Sequence, residues 1–294
     1  MKTSKKTSVQ IPKILTIAGS DSGGGAGLQA DLKVITALGG YGMTVITAIT
    51  AQNTQGVTQI QDIDLGVVEA QIDAVVTDIG VDAVKIGMLA SPEIVGCVAS
   101  ALRRHGIKRI VLDPVLRATS GASLGGNDTA DAMRKALFPI ASVITPNMQE
   151  ASILLGRNIT QPDEFEQAAQ DLMQMGPKGV LIKGGHLDTK HTQLMDFLMW
   201  QDINSDGKVI ISSKKFNHYR VNTPNTHGTG CTLASAIATY LADGHDLSHA
   251  VAKAIAYVEA GLEAGTYLSI GNGPGPLWHM HAFYPTVLPA DLDS

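Results

Sequence analysis

The sequence predicts an α/β protein in which helices cover both faces of a mainly parallel sheet. Short runs of β-branched and aliphatic residues alternate with longer segments of helical period along almost the whole chain, as in β–α–β units. At 294 residues and 44% hydrophobic composition, the chain is long enough to bury one large core. We expect one domain over residues 14–285, with flexible tails at residues 1–13 and 286–294.

Six strands of the parallel sheet are predicted from short aliphatic runs. In chain order these runs are residues 14–17, 45–51, 83–87, 109–113, 143–145 and 180–183. Two further runs, at residues 197–201 and 208–214, are separated by a turn-forming stretch. They predict a small antiparallel hairpin at one edge of the sheet.

Capping residues and apolar stripes mark the helices between these strands. Ser91 before Pro92 predicts the start of one helix, and Gly106 predicts its end. A second helix is expected over residues 160–175, which open with proline and acidic residues and end before a Gly-Pro pair. A third begins near Ser248 and carries apolar residues at intervals of four, three and four, which predicts a buried face.

Charge and cysteine content narrow the class of partner. A formal net charge of -5 argues against nucleic acid or an anionic membrane as the main partner. Cys97 and Cys231 do not form a disulfide framework, and a cytoplasmic setting is the simplest interpretation. Residues 1–13 are basic and polar, which is not typical of a secretory signal. The sequence contains no apolar run of about 18 residues, so no membrane-spanning helix is expected.

The stretch Asn-Thr-His-Gly-Thr-Gly-Cys at residues 225–231 predicts an anion-binding turn. Two glycines allow a tight turn, and the alanines and aliphatics that follow predict a buried helix. The first amides of that helix and the positive end of its dipole would meet at one point. We therefore expect phosphate chemistry here, with the same dipole favouring the thiolate of Cys231.

A second glycine-rich segment, at residues 19–27, lies between a strand and a helix. It is not a P-loop, because no Gly-Lys-Ser/Thr follows, and Leu28 takes the place of the third glycine of the dinucleotide fingerprint. A strand-to-helix turn alone would explain some of its five glycines. Close backbone approach to a ligand explains their number better.

Polar residues at several strand ends could converge on one cleft, because ligands of open α/β sheets bind beyond the carboxyl ends of the strands. Asp113 is either a turn residue or part of this cleft, and Lys183 is either a surface lysine or a phosphate ligand. Asn147 and Glu150 form either a magnesium site or a capping box. Gln52 is either a half-buried core amide or a reader of a heterocycle.

The remaining titratable candidates carry weaker predictions. His227 lies beside a turn and is expected to be structural rather than a base. His279 and His281 could form a weak chelating pair. Cys97 lies in an apolar helix and is expected to be a small core residue.

Seven segments follow one another along the chain in an order that is specific to one family: residues 18–33, 45–54, 85–89, 111–115, 144–151, 183–186 and 225–233. In this order they closely resemble the hydroxymethylpyrimidine/phosphomethylpyrimidine kinases of the ribokinase-like superfamily. The similarity extends from about Ile14 to Phe283. It implies a three-layer αβα fold and a cytoplasmic homodimer. It also implies ATP- and Mg²⁺-dependent phosphorylation of 4-amino-5-hydroxymethyl-2-methylpyrimidine and then of its monophosphate.

The resemblance assigns pyrimidine contacts to residues at the amino-terminal strands. Gln52 would hydrogen-bond the aminopyrimidine, and Gly19 and Val115 would add backbone contacts. Met88 would form an apolar wall, and Asp31 is a weaker candidate on the first helix.

The resemblance also assigns the phosphate side of the site. The backbone amides expected to hold the migrating phosphoryl group are those of Gly228, Thr229, Gly230 and Cys231. The residues expected beside ATP are Lys183, Thr226 and Asn147, and those expected to organise Mg²⁺ are Asn147, Glu150 and Asp113.

Cys231 stands where most related sugar kinases carry an aspartate, and the family pattern gives this position the role of general base. Phosphoryl transfer relies more on positioning and charge neutralisation than on a base. Removal of Cys231 is therefore expected to lower activity without necessarily abolishing it. One departure from many relatives is Thr119 in place of a lysine, which puts a phosphate contact from that loop in doubt unless Arg117 supplies it.

Three alternatives to a pyrimidine kinase remain distinguishable. A pyridoxine/pyridoxal kinase of the same fold would share the Gly-Thr-Gly-Cys element. A non-catalytic pyrimidine-binding regulator is disfavoured by the intact phosphate-site residues. A dinucleotide-dependent oxidoreductase is disfavoured by the broken fingerprint.

Overall fold

The computed structural model describes residues 10–116, 126–185 and 193–284. Within these ranges the strands form one sheet in the order β3-β2-β1-β4-β5-β6-β7-β8-β9. Their bounds are β1 Lys13–Asp21, β2 Tyr41–Asn53, β3 Gly56–Asp62, β4 Ala83–Ile86, β5 Ile110–Leu112, β6 Val143–Ile144, β7 Gly179–Ile182, β8 Gln193–Ile203 and β9 Val209–Tyr219.

The six predicted central strands are parallel to one another, which confirms the mainly parallel sheet. The antiparallel hairpin is also present as β8 and β9, but each of its strands has 11 residues rather than the short runs predicted. The sequence prediction missed β3, which pairs antiparallel with β2 and extends the opposite edge.

Eight helices connect these strands in the described ranges. Their bounds are α1 Gly27–Ala37, α2 Leu65–Asp78, α3 Pro92–Arg104, α4 Asn127–Ala136, α5 Met148–Leu155, α6 Phe165–Met173, α7 Thr229–Ala242 and α8 Leu247–Gly265. None of them is both long and apolar enough to cross a membrane.

Alternating side chains of the sheet enter two separate cores, which makes the fold three-layered. On β1, Leu15 and Ile17 pack with helices α2 to α6, whereas Ile14 packs with α1, α7 and α8. The same alternation separates Leu112 from Val111 on β5. Because the period of a strand is two residues, both faces of these central strands are apolar and both are buried.

The predicted helix ends are largely confirmed. The Ser91 hydroxyl accepts a hydrogen bond of 3.3 Å from the Ile94 amide, as expected of an N-cap. The helix predicted over residues 160–175 is instead a 3₁₀ turn at Pro162–Glu164 followed by α6. The start of α8 is set by Asp246, whose carboxylate accepts from the His249 amide.

Two irregularities of β2 lie beside predicted site residues. Its pairing with β1 shifts register between Ala18 and Gly19, and its pairing with β3 shifts between Ala51 and Gln52. Such bulges bend a strand and redirect its side chains. They occur here where β1 and β2 approach their carboxyl ends, at the edge of the sheet that carries the candidate site.

Candidate active site

Two glycine loops dock on each other at the carboxyl end of β1. A methyl group added to Gly228 would overlap the carbonyl oxygen of Gly25 and lie 2.9 Å from its carbonyl carbon. A methyl group on Gly25 would overlap the ring of His227. The close backbone approach predicted for the first loop therefore exists, but at Gly25 it is made to another part of the chain rather than to a ligand.

Asp21 fastens these two loops together. Its carboxylate accepts from the amides of Gly23 at 2.8 Å, Gly25 at 3.1 Å and Ala26 at 2.8 Å, and it lies 3.2 Å from Nε2 of His227. Burial opposes ionisation, but His227 and the amides outweigh it and hold the pKa of Asp21 below its usual value. The structural role predicted for His227 is thus confirmed.

Helix α7 begins with amides that are available to a ligand. Gly228 precedes it in the left-handed region at φ 79°, and no side chain caps this end. The Thr229 amide makes one long contact, 3.4 Å, to the carbonyl of Thr226, whose exposed side chain faces solvent. Among the described residues, no acceptor contacts the amides of Gly230 and Cys231. The predicted anion-binding turn is therefore present in its geometry.

The thiol of Cys231 is neutral at physiological pH. Burial raises its pKa to about 11, against the opposing charge of Lys85 and an amide hydrogen bond from Gly27. The expectation that the helix dipole would favour the thiolate is wrong for the ligand-free protein. The loss of hydration outweighs the favourable effects of the dipole and the lysine.

An ion pair lies directly beneath the first turn of α7. Lys183 Nζ is 2.8 Å from Oδ1 of Asp113, which also accepts a 3.0 Å hydrogen bond from the Thr145 hydroxyl. A methyl group on Gly230 would lie 3.4 Å from the lysine nitrogen and 3.5 Å from Oδ2 of Asp113. Burial disfavours the charge of Lys183, but Asp113 and Glu150 outweigh it and raise the lysine pKa.

Asn147 and Glu150 form a capping box at the start of α5. The Asn147 amide donates to the Glu150 carboxylate at 2.8 Å, and the Glu150 amide donates to the Asn147 side chain at 2.9 Å. Burial, together with the charge of Asp113, raises the pKa of Glu150 to about 7, while Lys183 opposes this shift. The capping interpretation left open by the sequence is therefore correct, and Oδ1 of Asn147 and Oε2 of Glu150 each already accept a backbone hydrogen bond.

Magnesium is compatible with this donor set only as a phosphate-bound ion. The described residues hold no group of three His, Cys, Asp or Glu side chains that could bind a metal on their own. Mg²⁺ in kinases typically keeps several waters and uses one or two carboxylates plus substrate phosphates. Asp113 and Glu150, whose charges interact across the site, meet that requirement.

Gln52 is held at the end of β2 by its backbone and beside Thr50. Ser22 Oγ donates to the Gln52 carbonyl at 2.7 Å and accepts from its amide at 2.8 Å. The Thr50 hydroxyl lies 2.7 Å from the Ser20 carbonyl and 3.1 Å from Oε1 of Gln52. A hydroxyl carries one proton, so the shorter contact directs it to Ser20. Most of the hydrogen-bonding capacity of the half-buried Gln52 amide remains available.

The backbone of Gly19 is covered by the side chain of Met88. A methyl group on Gly19 would lie 2.5 Å from Cε of Met88, so a larger residue here would displace the end of the Met88 side chain. Thr47 fixes the Met88 carbonyl with a hydrogen bond of 3.1 Å. Val115 is half-buried just after β5, and its amide donates to the Asp113 carbonyl at 2.8 Å.

Asp31 differs from the predicted substrate contact because it is completely buried. Its carboxylate is 2.8 Å from Lys85 Nζ and accepts from the hydroxyls of Thr16 at 2.5 Å and Ser235 at 2.7 Å. Sequence reasoning missed the role of Lys85. The available signal was a lysine within the aliphatic strand Ala83–Ile86.

The three weaker expectations had three different outcomes. His279 is buried against the Thr232 hydroxyl at 3.1 Å, and burial lowers its pKa to about 4, so it is a neutral core group rather than half of a chelating pair with His281. Cys97 packs against the core, as predicted. Arg117 and Thr119 lie outside the described residues.

Comparison with known proteins agrees with the resemblance seen in the sequence. A family model described as phosphomethylpyrimidine kinase matches residues 21–278. A hydroxymethylpyrimidine/phosphomethylpyrimidine kinase from Rhizobium meliloti (strain 1021) is 48% identical over 272 residues, which are 92% of this chain and 97% of that protein.

Two solved structures show the same fold. The phosphomethylpyrimidine kinase of Clostridium difficile 630 is 42% identical, with a TM-score of 0.71 over 85% of this chain and 98% of the other. A pyridoxal kinase from Staphylococcus aureus, solved with AMP-PCP and pyridoxal, is 31% identical, with a TM-score of 0.81 over 94% of this chain and 96% of the other.

Proposed function

Because the chain belongs to the phosphomethylpyrimidine kinase family, we propose that it phosphorylates 4-amino-5-hydroxymethyl-2-methylpyrimidine and then the resulting monophosphate. In each step a substrate oxygen attacks the γ-phosphorus of ATP, the bond to the β–γ bridging oxygen breaks, and ADP leaves. The observation that carries this proposal is the position of the Gly230 backbone over the Lys183–Asp113 ion pair. That arrangement presents amides and a lysine to the same anion.

Recognition of the pyrimidine is assigned to the Gln52 side. An aminopyrimidine presents a donor and an acceptor side by side, and a carboxamide presents the complementary pair. Ser22 and the bulge beside Gln52 fix the backbone from which this amide projects. Met88, which packs against the backbone of Gly19, supplies an apolar wall for the ring.

Charge neutralisation is assigned to the start of α7 and to Lys183. The amides of Gly228, Thr229, Gly230 and Cys231 are to hold the migrating phosphoryl group, with Lys183, Thr226 and Asn147 beside the nucleotide. A phosphate oxygen would compete with Asp113 for the ammonium group of Lys183, which is 2.8 Å from that carboxylate in the ligand-free protein. Fixed donors of this kind are effective because little reorganisation is needed in the transition state.

Mg²⁺ is proposed to enter with ATP and to neutralise phosphate charge when bound. Asp113 and Glu150 would hold it, with Asn147 orienting Glu150 through the capping box. Asp113 can do so without leaving the cleft, because its second oxygen faces the start of α7.

Cys231 is proposed to act mainly as a neutral neighbour of the phosphoryl group. With its pKa near 11, only about one thiol in ten thousand is ionised at pH 7. Nearby triphosphate would reduce that fraction further. The substrate hydroxyl therefore cannot depend on a preformed thiolate, and positioning and electrostatics supply most of the rate enhancement.

The deciding experiment is a coupled ADP-release assay with Mg-ATP against hydroxymethylpyrimidine, its monophosphate and pyridoxal. Turnover of both pyrimidines, with activity reduced but measurable in Cys231→Ala, is the expected result. Absence of turnover with either pyrimidine would sink the proposal. Nucleotide binding without turnover would identify a pyrimidine-binding regulator instead.

A pyridoxine/pyridoxal kinase is retained as a second candidate because of one observation. The Staphylococcus aureus pyridoxal kinase superposes with the higher TM-score of the two structures, although its identity is lower. Turnover of pyridoxal alone in the same assay would move the assignment to this activity.

A cytoplasmic homodimer is proposed on the family resemblance alone. Since one chain has a mass of 30.8 kDa, sedimentation of the purified protein at about twice that mass is the expected outcome. A single species at the mass of one chain would refute the dimer.

A further inference from the structure

Lys85 is the one lysine in the described residues whose side chain is buried without any exposed surface in the middle of the sheet. It lies on β4, and Gly87 leaves room for its head group, since a methyl group there would lie 2.8 Å from Nζ. Both oxygens of Asp31 lie 2.8 Å from this nitrogen. The contacts proposed for the pyrimidine, the phosphates and Mg²⁺ do not involve Lys85.

The pair connects the sheet to two helices of one flanking layer at one point. Asp31 is on α1 and accepts hydrogen bonds from Thr16 on β1 and from Ser235 on α7, while Lys85 reaches it from β4. Every one of these side chains is buried. The hydroxyls and the ammonium group together satisfy the carboxylate, as a buried charge requires.

This network continues directly to the anion-binding turn. Ser235 is four residues after Cys231, so the two side chains share one face of α7. Asp31 is likewise four residues after Gly27 on α1. Gly27 donates its amide to Cys231, and Asp31 accepts from Ser235, so the two helices are joined at two successive turns.

The lysine end of the pair acts on the site more strongly than the carboxylate end. Buried groups of both signs act on the Cys231 thiol: Lys85 and Lys183 favour its ionised form, whereas Asp31 and Asp113 oppose it, and the effect of Lys85 on the thiol pKa is larger than that of Asp31. Within the Lys85–Asp31 pair, the lysine therefore has the larger effect on the pKa of the Cys231 thiol. An apolar pair of similar volume would pack these layers equally well, so the charge is the contribution that packing alone does not explain.

We propose that Lys85 is a positioning residue for phosphoryl transfer, which holds the Cys231 face of α7 through Asp31 and places a fixed positive charge behind the anion-binding amides. The inference rests on the proposed function only in taking the anion to be a phosphoryl group. It assigns the ion pair to the site's electrostatics rather than to substrate contact.

The principal variant is the double change Lys85→Met and Asp31→Asn, which removes both charges and leaves no orphaned buried ion. We expect kcat to fall about 10- to 100-fold, with the pyrimidine KM changed by less than about threefold. In the ligand-free protein, alkylation of Cys231 by iodoacetamide should require higher pH than in the wild type. Thr239→Val is the matched control, because it removes a buried hydroxyl of α7 whose one hydrogen bond within the described residues is to the Ser235 carbonyl.

The single variant Asp31→Asn gives a second test with the opposite sign. It keeps Lys85 but removes the opposing carboxylate, so Cys231 should be alkylated at lower pH than in the wild type. A double variant that retains wild-type kcat and alkylation would overturn the proposal, as would an Asp31→Asn midpoint that does not move to lower pH. Wild-type protein that turns over no pyrimidine would refute the proposed function instead, and the alkylation comparison would still test the role of Lys85.

Discussion

A methyl group added at Gly228 should lower the rate of phosphoryl transfer, and this effect can be measured separately from its effect on folding stability. The φ of Gly228, 79°, lies in the left-handed region, where a side chain costs about 1–2 kcal/mol. The methyl group of Gly228→Ala would overlap the Gly25 carbonyl oxygen and lie 2.9 Å from its carbon. The two loops would have to separate by about 1 Å or more to restore ordinary contacts of about 3.5 Å.

That displacement sets the expected loss of activity. A misplacement of about 1 Å at a reacting centre costs about 100-fold in rate, and the amides of Gly230 and Cys231 move with this turn. We therefore expect kcat of Gly228→Ala to fall about 100-fold or more. The free energy of unfolding should fall by the backbone penalty plus about 1–3 kcal/mol for the overlap.

Gly244 provides the matched control at the other end of the same helix. It also has positive φ, 93°, but a methyl group there would meet no atom within 4 Å. Gly244→Ala should therefore lose about 1–2 kcal/mol of stability and keep kcat within about twofold. Steady-state ADP release and urea unfolding measure the two effects. Wild-type kcat in a folded Gly228→Ala protein would show that the docked loops do not govern transfer.

Three further predictions concern single side chains of the site. Since the pKa of Cys231 is raised to about 11, its alkylation by iodoacetamide at pH 7.5 should be about 100-fold slower than that of an ordinary cysteine, and a midpoint near pH 8 would contradict this. Glu150→Gln keeps the capping box but removes a carboxylate, so the Mg²⁺ concentration for half-maximal activity should rise about three- to tenfold. The control is Glu164→Gln, in an exposed capping box, which should leave this Mg²⁺ concentration unchanged. Gln52→Leu should lower kcat/KM for the pyrimidine about 10- to 100-fold through lost hydrogen bonds, and an unchanged value would remove Gln52 from recognition.

Strand β3 shows where sequence patterns stop predicting the fold. Its residues are exposed or half-exposed, and glutamines occupy positions 59 and 61, so no apolar alternation marks it. The strand forms because β2 offers it an unpaired edge, as their register from Ala48 to Asn53 shows. The central strands were predictable because both of their faces are buried and nearly every residue is therefore apolar.

The site divides in the same way between local and distant signals. The anion-binding turn and the capping box are contained in short segments, and the sequence indicates both. The ion pair of Asp31 and Lys85 joins residues 54 positions apart, and the position of Lys85 in an aliphatic strand indicates burial without identifying its partner. The same holds for Asp21, whose partner His227 is 206 positions away. Such pairs cannot be predicted from a single sequence until the strand order is known.

A neutral thiol suits the start of α7 because of what ATP brings to it. An aspartate or thiolate at this position would repel the γ-phosphate at the amides that must bind it, and the repulsion would be strongest in a buried site. With its pKa near 11, Cys231 adds no negative charge beside the helix dipole and Lys183 while the nucleotide binds. Lys85 limits how far burial raises that pKa, and the thiol nevertheless stays neutral. The cysteine is therefore better understood as a residue that adds no further negative charge to this anion site than as the base that starts the reaction.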